Sequence, residues 1–555
     1  MKLRATAVLL AVVLAGCAST RPPEAPVKAE AVGPVPLFEG LGTNGRRITT
    51  SSREAQRYFD QGLSFLFAFN HDEAIRSFRK AAELDPHASM AWWGISIASG
   101  PHINNPAVSP ESAAVAWDAL QRARKEPRAA DQVESALIDA LSKRYADPSP
   151  TDRTAFDLAY ADAMRDVWKR YPTDPDVGAL FAEALMDLRP WNQWTPAGDP
   201  NPGTLEVLAT LEDVMKLRRD HPLALHLYIH AVEASREPGR ADAVADRLRD
   251  LQPGLGHLVH MPSHIDVRRG RWREAVTANA KAIRADDRYH AMVPNQGFYG
   301  LYMAHNHHML AFAAMMIGQR AEATTAIDTM AAAIPPAWAE QWAPIADGFL
   351  AMPLEVRMRF GAWDEVLAAP EPKPIYPFAR AMRHYARGVA YSAKGDTKSA
   401  RAEQAAFATA RAALPADAIF GNNKAPDLLA VANSVLEGEI SYREGKQEAA
   451  FASLRQAVVL EDALKYDEPP SWILPARHTL GAALLDAKRP REAELVFRED
   501  LVRLPNNGWA LFGLAQSLRE QGKKAEAAKA DANFRKAWEG ADFEITSPCA
   551  CLSAP

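Results

Sequence analysis

Ten of the fifteen histidines in this 555-residue chain fall between positions 221 and 308: His221, His226, His230, His257, His260, His264, His290, His305, His307 and His308. The spacing inside the set is regular. His226 and His230 are i, i+4, as are His260 and His264, and the two pairs stand 34 residues apart. On a helix, i and i+4 share a face. Neutral imidazole is the commonest side-chain ligand of transition metals, and two at this spacing can hold one ion. Packed helices lie about 8–10 Å apart, a gap that two imidazoles bridge. Glu183 and Glu233 could complete a mixed shell suited to zinc, manganese or iron. No His-Glu-x-x-His pattern occurs, so catalysis stays open. Two other readings also stand: a histidine-rich surface taking an anionic or peptide ligand, and ordinary packing.

Elements that position such a set must repeat every 34 residues. Counted from Ala55 as one, Tyr58, Gly62, Phe65, Ala74, Phe78, Ala81 and Pro86 fall at positions 4, 8, 11, 20, 24, 27 and 32. Small residues at 8 and 20 let two antiparallel helices touch, large ones fill the seam, and proline ends the second helix. This frame resembles the tetratricopeptide repeat. It recurs from Leu474 with Gly481, Leu484, Ala493, Phe497 and Pro505, and from Gly508 with Leu511, Leu518, Ala527 and Phe534. Further units begin near Pro222, Gly256, Ala304, Ala381 and Val431, and weaker helical pairs occupy 89–120, 128–170, 175–217 and 340–370. Strand signals are absent. The expectation is an all-α tetratricopeptide-type solenoid of about ten helix-turn-helix units spanning 52–540.

The resemblance implies a superhelix with a concave groove lined by positions 2, 5, 9, 12 and 13 of each first helix. In that frame His226, His230, Glu233, His257, His260, His264, His305, His308 and Glu183 all face the groove. Pro262 interrupts one of these helices and re-aims His260 relative to His264. Three segments break the period: Gly100–Pro106, residues 189–203, and residues 290–303. Long irregular loops in a compact array are usually functional or disordered. Trp191 and Trp194 argue against disorder and are a possible lid or an edge cap. The stretches Asn70–Phe78, Trp92-Trp93-Gly94 and His260–Ile265 resemble an uncharacterised group of bacterial tetratricopeptide-repeat lipoproteins. His71, His87, His102, His221, His307, His384 and His478 read as structural or solvent-facing.

Residues 1–17 read as an export signal: a basic start, a short apolar run and Leu14-Ala15-Gly16-Cys17, which looks like a bacterial lipobox with Cys17 as the acylated residue. Ala18 after it implies sorting to the outer membrane. The proline-rich stretch 18–37 is a tether. The remaining divisions are 38–335, an N-terminal repeat region with the histidine-rich groove; 336–375, connecting helices; 376–540, C-terminal repeats; and 541–555, a tail. A net charge of -5 gives no footprint for nucleic acid. With three cysteines, a disulfide-stapled fold and a four-cysteine zinc site are excluded. Cys549 and Cys551, two apart, suit a disulfide, a metal site or a reactive tail. No phosphate loop, Gly-x-Ser-x-Gly or dinucleotide fingerprint is present.

The functional expectation is a membrane-anchored scaffold whose groove binds a peptide, a protein segment or a small ligand. The alternative is a metal-binding protein, or a metal-dependent enzyme, centred on residues 183–308. The address carries its own test. Cys17→Ser should leave the precursor unlipidated and release it from the membrane fraction on cell fractionation; retention equal to the parent would contradict the anchor.

Overall fold

Two aromatic rings show how the repeats lock together. A glycine at the eighth position of one unit and a glycine at the sixth position of the next clamp one phenylalanine between them. A Cβ on Gly62 or Gly94 would lie 2.6 Å from Phe78 Cδ1, and one on Gly481 or Gly513 would lie 2.3 Å from Phe497 Cζ. The same device therefore operates near both ends of the array. A larger side chain at any of the four positions would push the first helices off the ring.

The computed structural model describes residues 35–126, 131–295 and 297–552. Cys17, the signal segment and nearly all of the tether lie outside the described residues. From Arg53 the chain runs as twelve successive helical pairs: 53–84, 89–125, 132–170, 175–217, 222–248, 256–292, 299–333, 343–368, 377–412, 425–462, 476–503 and 508–537. That is two more than the approximate sequence count, because the weaker pairs are complete hairpins. The only strands among the described residues are the two-residue ribbon Ile419–Phe420 and Asn423–Lys424. No helix among them is long and apolar enough to cross a membrane.

Local sequence explains the boundaries. Ser52 caps Arg53–Phe67 by accepting from the Ala55 N–H, and Asn70 caps His71–Leu84 by accepting from Glu73. Pro175 and Pro222 open their helices at the position where proline removes no needed bond. Pro262 divides one first helix into Gly256–His260 and Pro262–Arg269.

The described residues from Leu37 onward form one compact unit. The array closes on itself. Trp272 Nε1–H donates to the Pro505 carbonyl at 2.8 Å, and Trp509 Nε1–H donates to Met315 at 2.7 Å. One apolar cluster joins Val267, Phe312 and Phe360 to Ile473 and Trp509. The C-terminal repeats are thereby packed against the histidine-bearing helices.

The clamp generates a prediction. Gly481→Ala should destabilise the chain by about 1–3 kcal/mol through overpacking. The double variant Gly481→Ala/Phe497→Leu should lose less than the sum of the two single changes in urea melts, since the smaller side chain relieves the clash.

Candidate metal centre

The helix Pro222–Val232 is buried along its whole length, which its Leu-Ala-Leu-His-Leu-Tyr-Ile-His run requires: no face is left polar enough for water. His221 caps it by accepting from the Ala224 N–H and anchors it through Nε2 to Asp176 at 3.0 Å. Its two interior imidazoles face Gly256–His260 and Pro262–Arg269, the divided first helix of the next repeat, whose His260 in turn meets His305 of Tyr299–Met316, the first helix of the repeat after that.

Two triads result. In the first, a ligand nitrogen from each of His226, His230 and His257 lies within 4.8 Å of the others. His226 Nδ1–H donates to the Phe67 carbonyl at 2.8 Å, so its Nε2 carries the lone pair. His230 Nδ1 meets Glu233 Oε1 at 3.0 Å. Four nitrogens here are buried without a partner: His226 Nε2, His230 Nε2 and both nitrogens of His257. In the second triad, His260, His264 and His305 converge. His260 Nε2 faces His264 Nε2 at 2.6 Å and His305 Nε2 at 3.1 Å. Asn279 fixes one tautomer: its Nδ2 donates to Ala275, so its Oδ1 accepts from His260 Nδ1 at 2.6 Å and leaves the His260 Nε2 lone pair pointing inward. Tetrahedral bonds of about 2.0–2.1 Å set ligand nitrogens about 3.3 Å apart. The His260–His305 pair is near that value; His264 would swing outward by under 1 Å.

Glu233 joins the triads. Its Oε1 meets His230 Nδ1, and its Oε2 meets His264 Nδ1 at 2.6 Å. Glu468, from the loop after the 425–462 hairpin, also contacts His264 Nδ1. Carboxylates on the outer nitrogen orient metal-bound imidazoles and raise their basicity. Alternatively Glu233 binds directly, since His230, Glu233 and His264 also form a compact set.

Burial governs the charge. It holds His226, His257, His264 and His305 well below the ordinary imidazole range, and neighbouring imidazoles add to the effect. Burial takes His230 to about 3 and His260 to about 4. Burial pushes Glu233 up to about 8 and Glu468 well above its ordinary value, the latter reinforced by Glu233. At neutral pH the imidazoles are uncharged ligands, and a cation would draw the proton off the glutamate pair.

Two sequence-derived members do not join. Glu183 sits with Asp187 and Arg144 instead; burial first, then Asp187, raises it to about 8. His308 turns toward Phe349, ring centres 6.1 Å apart, with Nε2 unpartnered. His308 is three residues beyond His305, so its ring leaves the helix about 60° around the axis from that of His305, and there it meets Phe349. The groove around the other histidines is filled by the chain itself. Trp191 stands edge-on to His230 at 5.2 Å, and Trp194 Nε1–H donates to Ala231 at 2.8 Å, tying the 189–203 loop over the helix. Tyr302 packs on His257 at 4.5 Å. Residues 100–106 contribute His102, whose ring is 4.2 Å from His71 and 4.8 Å from Phe69. His102 is buried and His71 part-buried, and both border the first triad through Phe69; of the two readings offered for them, structural or solvent-facing, the structural one fits. The sequence pointed to neither these two nor Glu468, which lies 204 residues beyond His264.

Residues 55–87 match the family model described as tetratricopeptide repeat. No curated protein matches the chain significantly. Among solved structures, the human IFIT1 dimer with m7Gppp-AAAA aligns over 89% of this chain and 92% of that one, at 12% identity and a TM-score of 0.34. Yeast Tom70 aligns over 89% and 91%, at 13% identity and 0.29.

His308 allows a clean test of the electrostatics, since burial alone lowers it to about 3. The unfolded chain takes up a proton there below pH 6.5 and the folded chain does not, so stability falls on acidification. Relative to His308→Leu, the parent should lose about 2 kcal/mol between pH 7 and pH 5 in urea melts; parallel losses would contradict a neutral buried ring.

Proposed function

We propose that this chain is a metal-binding repeat protein that holds up to two divalent transition ions, zinc, manganese or iron, in a buried histidine/carboxylate centre. One ion belongs to His226, His230 and His257, the other to His260, His264 and His305, with Glu233 between them. The observation that carries this reading is the set of four unpartnered buried nitrogens in the first triad. Each such orphan costs about 1–3 kcal/mol, and one cation satisfies three of them together. The second triad supports it, with a fixed lone pair on His260 facing two further ring nitrogens.

A peptide laid in the groove would have to displace the 100–106, 189–203 and 290–303 segments before it touched these rings. Metal binding needs no such displacement. His305, the part-exposed member, is the natural point of entry. In this reading the protein works in the bacterial cell envelope, carried on a lipid at Cys17.

Purified protein lacking residues 1–37 is loaded with zinc, manganese or ferrous iron, desalted and analysed for metal. The expected content is up to two ions per chain. His257→Ala and His305→Ala should each remove one, and His384→Ala neither. Bound metal should raise the folding stability by about 2.7 kcal/mol at a hundredfold excess over Kd. Below a tenth of an ion per chain, with no shift in Tm for any of the three metals, the reading fails.

A further inference from the structure

The tail beyond the last repeat returns to the body of the array and carries a second chemically competent group. Cys549 and Cys551 are joined as a disulfide. They lie against Glu439 of the helix Ala425–Arg443, and one carboxylate oxygen and the two sulfurs fall within 4.8 Å of one another. The sulfurs differ. Cys549 is partly exposed and Cys551 is buried. Cys549 Sγ accepts from the Cys551 N–H at 3.3 Å and from the Thr479 hydroxyl at 3.6 Å. Two donors thus await negative charge on Cys549. Arg443 Nη2–H donates to the Cys551 carbonyl at 2.9 Å and pins the turn.

Glu439 is the second, independent sign. It is 5% exposed, and its Oε2 has no partner. Burial holds it up at about 8, so it is an acid at neutral pH. It lines a cavity of about 30 Å³ together with Cys549, Cys551, Thr479 and His478, enough room for one or two waters between carboxyl and sulfur. A disulfide that only fastened the tail would need neither the acid nor the space.

We propose that Cys549–Cys551 is a thiol–disulfide exchange site whose partner is a dithiol, with Cys549 the sulfur under attack and Glu439 the proton donor to Cys551. A thiolate of the partner attacks Cys549 Sγ; a mixed disulfide forms there and the bond to Cys551 breaks. Cys551 leaves as a thiolate and takes the Glu439 proton. The partner's second thiol gives up its proton to water and, as a thiolate, attacks its own mixed-disulfide sulfur; the bond to Cys549 breaks, Cys549 leaves as a thiolate and is protonated from water, and water reprotonates Glu439. The partner is oxidised by two electrons to its disulfide, and the site is reduced to two thiols. The reverse sequence oxidises the site.

The test uses the full chain with dithiothreitol as the dithiol. Reduction should proceed in the folded protein, with far-ultraviolet circular dichroism unchanged. Glu439→Gln should slow it at least tenfold, with Glu439→Asp recovering part of the rate. With oxidised glutathione, the Cys551→Ser variant should form a mixed disulfide at Cys549 at least ten times faster than Cys549→Ser forms one at Cys551. Reduction only on unfolding, equal rates for the two cysteine variants, or an unchanged rate in a folded Glu439→Gln would each overturn the proposal. The cysteine comparison decides the matter if Glu439→Gln does not fold.

Discussion

The constraint on which the central part of this molecule depends is the desolvation of imidazole. Eight histidines form one contiguous chain of ring contacts through Phe69: 102, 226, 230, 257, 260 and 264 are buried, and 71 and 305 are part-buried. None can carry charge there at neutral pH, because burial penalises the cation. Several cannot satisfy both ring nitrogens. A fold that only needed to fill this space would use leucine, with no orphaned atoms. The rest of the architecture reads as what such a centre requires: rigid helices to aim the rings, outer acceptors to set their tautomers, and cover to keep water out.

The repeat supplies the rigidity. Glycines 62, 94, 481 and 513 grip Phe78 and Phe497, so each first helix is held at close range to the next. Rings on equivalent turns then meet across the helix seam. The acceptors come from elsewhere: the Phe67 carbonyl from the first hairpin, Asn279 from a second helix, and Glu468 from the C-terminal half. Glu468 arrives only because the array closes through Trp272–Pro505 and Trp509–Met315. The segments that break the period provide the cover. His102, Trp191 and Tyr302, one from each, rest on or beside the rings.

Much of this was legible in the sequence, for reasons that also mark where legibility ends. The 34-residue offset and the i, i+4 spacing are local and additive, so the fold class and the convergence of helices bearing His226, His230, His260 and His264 follow from them. The same counting carried Glu183 and His308 into the set, and the structure leaves both out. A repeat frame assigns a face to a position without assigning its angle within that face. His308 is offset from His305 by about 60° around the helix and packs on Phe349, and Glu183 is claimed by Asp187 and Arg144. The frame also took the groove to be open. Nothing periodic announces that irregular segments will fold into it, and no local signal links Glu468 to His264 across the closure of the array. His71 and His102 were passed over for the same reason: each lies outside the histidine-rich stretch, and only tertiary packing brings them to it.

The central claim is that transition ions sit among these rings. X-ray absorption at the metal edge of zinc-loaded protein addresses it most directly. The account predicts a first shell dominated by nitrogen at about 2.0–2.1 Å, with the outer-shell scattering of several imidazoles per ion, lost in part from His257→Ala and from His305→Ala. An all-oxygen shell, a sulfur shell from the reduced cysteines, or a spectrum unchanged in both variants would contradict it.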